Sequence, residues 1–233
     1  MKVRDTSWLQ LEEYLRHDDR AVVPLGSTEQ HAYLSLLTDT ILAEKVAEDA
    51  AEPLGVPVFP ALAFGISPYF LGFPGTVTLK VGTFVRVVED VLESLTIGGF
   101  RKVVLVSGHG GNAPAAGVAR DWSARHPGVQ VKYHSWWDAP RTGRMIKELD
   151  PVGTHASWNE CFPWTRLEGV VPPEGAKRPI DYARLRIMDM ALARQHLGDG
   201  NFGGRYQRPD AEMLPIWEVA VAETQEALTN GWL

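Results

Sequence analysis

The stretch FRKVVLVSGHGG, residues 100–111, decides the fold. Val103 to Val106 form an unbroken apolar run, short enough for a strand and too short for a helix. The run breaks at Ser107 and Gly108 into a glycine-rich turn that carries His109. Before it, GTFVRVVEDVLESLTIGGF has apolar residues at helical spacing. After it, GNAPAAGVARDWSARHPG reads as a helix and VQVKYHSWWD as a strand.

The same alternation runs back to the start of the chain. SWLQLEEYLRH has helical spacing through Trp8, Leu9, Leu11, Tyr14 and Leu15, and RAVVPLG is a second short buried strand. Asp39 opens the helix TILAEKVAEDAAEPLG, with Pro53 and Gly55 as its stop. VPVFPALAFG reads as a further strand, and PIWEVAVAETQEALTNGW as a last helix. Strands alternating with helices predict an α/β fold of parallel βαβ units with helices on both sheet faces, in one domain covering residues 1–233.

Composition narrows the function classes. The 233 residues carry a formal charge of −6 without a basic stripe, which argues against nucleic acid. The single cysteine, Cys161, excludes an internal disulfide framework and a thiolate zinc site. The opening MKVRDTSWLQLEEYL is too charged for a signal peptide, and no apolar run approaches the roughly 20 residues that span a bilayer. The expectation is a cytoplasmic protein with a small-molecule substrate and no membrane partner.

In a parallel sheet the ligand site lies beyond the carboxyl ends of the strands. RAVVPLG ends before Ser27 to His31, VPVFPALAFG before Ser67 to Thr76, and VVLV before His109, so three polar or glycine-rich loops open at one edge. There TEQHAYLSLLTDT, residues 28–40, sets Glu29, His31 and Asp39 close together. Each has an ordinary alternative: Glu29 as a turn carboxylate, Asp39 as a helix N-cap, His31 as a satisfied buried histidine, His109 as a turn residue. Jointly, carboxylate oxygens and imidazole nitrogens suit zinc, manganese or iron(II), and a carboxylate can bridge two ions.

PLGSTEQH, FPGTVTL and VVLVSGHGGN, followed by HASWNE, together resemble the creatininase family of metal-dependent amidohydrolases over about Val22 to Glu160. The resemblance implies a three-layer α/β/α sandwich with a mainly parallel sheet, two divalent metal ions and a cyclic homo-oligomer, often a hexamer. By matching position, it makes Glu29, His31, Asp39 and His109 metal ligands, with Asp39 bridging. It makes Glu160 the ligand that completes the second metal, with a general base as its rival role. It sets His155 beside the substrate in proton transfer, the alternative being a residue that orients Glu160.

The sequence also departs from the family. AYLSLLT replaces Gly-Pro-His-Leu-Pro before Asp39, and Gly110 and Gly111 stand where creatininase has Tyr and a metal-binding Glu, which argues against creatinine as substrate. Tyr69-Phe70 replaces a Glu-His pair. Ser67, Tyr69, Phe70, Gly110 and Trp158 are expected to line a pocket suited to a flat cyclic amide or a cation. FPWTRLEGVVPPEGAKRPIDYARLR, rich in proline, reads as an arm over a neighbouring subunit's pocket, and GDGNFGGRYQRP as a glycine-rich loop.

Two ions sharing a water would lower its pKa and present hydroxide to an amide carbonyl, with His155 protonating the leaving nitrogen. The expected activity is hydrolysis of a non-peptide C–N bond in a small cyclic amide or formamide. The alternatives are a family peptidase acting on a short peptide and a non-catalytic metal- or ligand-binding domain.

Overall fold

A computed structural model describes all 233 residues. In chain order the helices and strands are α1 (Trp8–Tyr14), β1 (Arg20–Leu25), α2 (Thr38–Ala51), α3 (Val81–Ile97), β2 (Lys102–Ser107), α4 (Pro114–Arg125), β3 (Gln130–Ser135) and α5 (Pro140–Leu149). Beyond them lie β4 (Ala176–Lys177), α6 (Tyr182–Leu185), α7 (Met190–Leu197), β5 (Gly204–Arg205) and α8 (Asp210–Thr229). The three longer strands form a parallel sheet in the order β1-β2-β3, and β4 pairs with β5 in an antiparallel ribbon.

Strand periodicity divides the sheet's side chains between two cores. Val22, Val104 and Val106 face α2, α5 and α8, where Leu42, Val46, Ile146, Met213 and Ile216 meet them. Ala21, Val23, Leu25, Val103 and Leu105 face α3 and α4, meeting Phe84, Val88, Leu92, Ala115 and Val118. The spacing of Phe84, Val88 and Leu92 puts one apolar stripe of α3 on the sheet. The result is the expected three-layer α/β arrangement. Each fully buried Val, Leu, Ile, Phe or Met side chain among them contributes about 1.5–3 kcal/mol.

Two expectations are corrected. VPVFPALAFG is not a regular strand: it follows β1 in parallel through isolated bridges, Val58 with Val22 and Leu62 with Leu25. Pro57 and Pro60 have no N–H to give a ladder, which interrupts it. The last helix begins at Asp210, before Pro215, and contains that proline.

A third, smaller cluster covers the carboxyl edge of the sheet. Phe70, from the 3-10 turn Pro68–Phe70, packs with Leu185, Ala193 and Leu197, and Tyr69, Phe73, Ile180 and Phe202 lie against it. From Ala176 onward the proline-rich arm therefore folds onto its own chain. Leu167, Val170 and Val171 before it are exposed. No helix is long and apolar enough to cross a membrane.

Candidate metal centre

The strand register makes the site. Leu25 of β1 pairs with Ser107 of β2, which pairs with Ser135 of β3, so the three strands end level and their loops emerge together. Glu29 and His31 follow β1, His109 follows β2, and Asp39 enters from the first turn of α2. Leu37 holds the N-cap position of α2. The Asp39 side chain is thereby free to reach across the strand ends.

Asp39 divides its two oxygens between two histidines. Oδ1 lies 3.0 Å from His31 Nε2, and Oδ2 lies 2.9 Å from His109 Nδ1. Glu160 Oε2 is 3.7 Å from His31 Nε2, and Glu29 Oε1 is 3.4 Å from His109 Nδ1. Three groups of three follow, His31-Asp39-Glu160, Glu29-Asp39-His109 and Glu29-His31-His155, with Asp39 common to the first two. His155 Nδ1 stands 3.6 Å from Glu29 Oε1.

Surrounding bonds fix which atoms are left to bind. His31 Nδ1 is 3.2 Å from the Glu29 carbonyl, and His109 Nε2 is 3.0 Å from the Ile66 carbonyl. A carbonyl only accepts, so these nitrogens carry protons, and His31 Nε2 and His109 Nδ1 are the atoms that would offer lone pairs to a cation. Ser67 donates to Glu29 Oε2, as does Ser27 at 3.0 Å, leaving Oε1 free. Glu29 Oε1, His31 Nε2 and Asp39 Oδ2 are buried without a hydrogen-bond partner. Three unpartnered ligand atoms in one buried cluster fit divalent cations, whose bonds would offset the desolvation of the carboxylates.

The electrostatics agree. Burial pushes the Glu29 and Glu160 carboxyls up, each to about 7. Against the cost of burial, Asp39 lifts His31 to about 10, and Glu29 with Asp39 lifts His109 to about 9. Burial alone would raise Asp39, but the two histidines hold it below the ordinary carboxylate range. Burial, and next the charge of His31, hold His155 well below the usual imidazole value.

A cleft of about 310 Å³ opens over the cluster. Tyr69, Phe70, Gly110, His155 and Glu160 line it. Ser67 does not; it is fully buried beneath Glu29. Trp158 is corrected too: it is fully buried in the core, its Nε1 donating to the Val152 carbonyl at 3.1 Å. It starts the 3-10 turn Trp158–Glu160, where successive side chains diverge by a third of a turn, so Trp158 and Glu160 cannot face the same way. Trp137, Asn159, Tyr182 and Phe202 line the cleft unforeseen. The Trp136-Trp137 pair was a signal for the first; the last two arrive by long-range packing.

Fold and site define a three-layer α/β domain built to hold cations at its strand ends. A family model for Creatininase, described as creatinine amidohydrolase, matches residues 4–162, and the chain belongs to that family. It is 29% identical over 164 residues to a creatinine amidohydrolase of Pseudomonas putida, covering 65% of this chain and 63% of the relative. It is 39% identical over 105 residues to a mycofactocin precursor peptide peptidase of Mycolicibacterium smegmatis, covering 42% of each. The matched stretch thus spans less than two thirds of either relative. A crystal structure of creatinine amidohydrolase shares the fold with a TM-score of 0.78 at 24% identity, covering 99% of this chain and 98% of that one. Creatininase structures include a Zn-Zn type and a Mn form.

Proposed function

We propose that this chain is a binuclear metal-dependent amidohydrolase that cleaves a non-peptide C–N bond in a small cyclic amide or formamide. The observation that carries the reading is the sharing of Asp39 between two ligand groups, one oxygen to each. Glu29 and His109 would hold one ion, His31 and Glu160 the other, and Asp39 both. Zinc best suits this set of nitrogens and carboxylates, with manganese or iron(II) as alternatives. Bound ions would supply Lewis acidity and make a shared water acidic near neutral pH.

The chain's own residues would do the rest. His155 lines the cleft with Nδ1 toward Glu29, and from Nδ1 it would pass a proton to the leaving nitrogen as the C–N bond breaks, the attacking water supplying the replacement proton. Tyr69, Phe70, Trp137 and Phe202 would hold a flat ring over the cluster and exclude water. Gly110 leaves that wall open, since a Cβ there would meet nothing. A cyclic homo-oligomer, part of the same reading, would cover exposed Leu36, Leu37, Phe64 and Val171.

A second reading, a peptidase acting on a short peptide end, is favoured by the 39% identity to the mycofactocin precursor peptide peptidase. The test is a panel of cyclic amides, formamides and short peptides offered to zinc- and manganese-loaded protein. Metal-dependent cleavage of a cyclic amide or formamide, abolished in Asp39→Asn, is the expected result. Cleavage of peptides alone would replace this reading with the second, and binding without turnover would leave a ligand-binding domain.

A further inference from the structure

Gln30, between two of the proposed ligands, is itself buried, and its side-chain amide has one possible orientation. The backbone N–H of Ala32 donates to its Oε1 at 3.1 Å, and its Nε2 donates to the Gly200 carbonyl at 3.1 Å. One partner can only donate and the other only accept, so the amide cannot be flipped. Its second Nε2 hydrogen faces His155 Nε2 at 2.9 Å.

The backbone carbonyl of the same Gln30 lies 3.0 Å from that same imidazole nitrogen. His155 Nε2 therefore meets a donor and an acceptor from one residue and can satisfy only one at a time. A proton on Nε2 serves the carbonyl. A lone pair on Nε2 serves the amide and moves the proton of the neutral ring to Nδ1, the atom that faces Glu29 Oε1 at 3.6 Å where both residues line the cleft.

Neighbouring groups keep the ring in this place. Phe70 stacks on it with centroids 4.6 Å apart, and Phe202 covers it at 4.7 Å. Gly200, at φ +102°, lies so close to the Gln30 amide that any Cβ would overlap Oε1. Gly200 and Phe202 belong to the glycine-rich loop beyond the residues that the family model matches.

We propose that Gln30 is a positioning residue whose side-chain amide lets His155 carry its proton on Nδ1. The inference rests on the hydrolase reading, in which that atom delivers a proton to the leaving nitrogen. With the amide removed, only the carbonyl remains, and the proton is held on Nε2.

The test is 15N NMR of the full-length chain, labelled in its histidine rings and reconstituted with zinc, at a pH where His155 is neutral. Its signals are assigned by their loss in His155→Gln. In the wild type Nδ1 is expected to be substantially protonated; in Gln30→Met, the proton should reside on Nε2. Should Gln30→Met not fold, Gln30→Asn, whose amide is one methylene short of the ring, is expected to show the same transfer. An Nδ1 that is bare or zinc-bound in the wild type, or a tautomer unchanged in the folded variant, would overturn the proposal. The tautomer is read without turnover. A chain that takes up no zinc would sink the hydrolase reading and leave this result legible.

Discussion

Gly108 and Asp39 touch backbone to backbone: a Cβ on Gly108 would overlap the Asp39 carbonyl. The contact seats the first turn of α2 on the end of β2 and so sets how far the Asp39 carboxylate reaches toward His109.

Gly108→Ala should therefore push the start of α2 away and misplace Asp39. Overpacking of this kind costs about 1–3 kcal/mol. The expected outcome is a lower calorimetric melting temperature together with metal affinity reduced at least as much as by loss of a single outer ligand. A variant with unchanged melting and metal content would show that α2 is not seated by this contact.

Ala32 and Ala156, each following a site histidine, adopt left-handed backbone with φ of +51° and +58°. Such a conformation costs an L-residue about 1–2 kcal/mol, and glycine escapes it at some cost in unfolded-state entropy. At position 156 the geometry aims the backbone N–H at Glu160 Oε2, 2.6 Å away. Ala156→Gly is expected to raise stability by about 0.5–1 kcal/mol in urea titrations. Ala115→Gly, inside α4, should lower it. A destabilised Ala156→Gly would mean that the turn holds no strain.

Much of this was legible in the sequence, and the limits have physical causes. VVLV and RAVVPLG announce central strands because parallel strands covered on both faces are apolar throughout. VPVFPALAFG has the same apolar character, but its prolines decide against a ladder. Glu29, His31, Asp39 and His109 are found together because topology gathers loops that follow parallel strands. Asp39 as a cap was a fair local expectation; its carboxylate goes instead to two histidines that lie 8 and 70 positions away in sequence. Trp137 and Trp158 differ only in which way a 3-10 turn points them, and composition carries no such information. Tyr182 and Phe202 reach the cleft through the packing of Leu185 and Leu197 on Phe70, contacts across more than 100 residues that no local pattern encodes.

Away from the site, Glu223 of α8 accepts from the backbone N–H groups of Arg141 and Thr142 at 2.9 and 2.7 Å and from the Thr142 hydroxyl at 2.7 Å. Against the cost of burial, these donors lower its carboxyl below the ordinary glutamate value. A lowered folded pKa gives stability that is present above the unfolded pKa and is lost as pH falls through the folded one. Glu223→Gln is expected to cost about 1–3 kcal/mol at pH 7, with the gap to wild type closing in acid below the ordinary glutamate range. A gap independent of pH in urea titrations would show that the charge contributes nothing.

In the proposed centre one aspartate, Asp39, serves two cations. The most direct test is the zinc content, by mass spectrometry, of wild-type, Glu160→Gln and Asp39→Asn proteins reconstituted in parallel, with circular dichroism confirming that each is folded. About two ions per chain are expected in the wild type, about one in Glu160→Gln and nearly none in Asp39→Asn. A folded Asp39→Asn protein that keeps both ions, or a wild type that takes up none, would contradict this sharing.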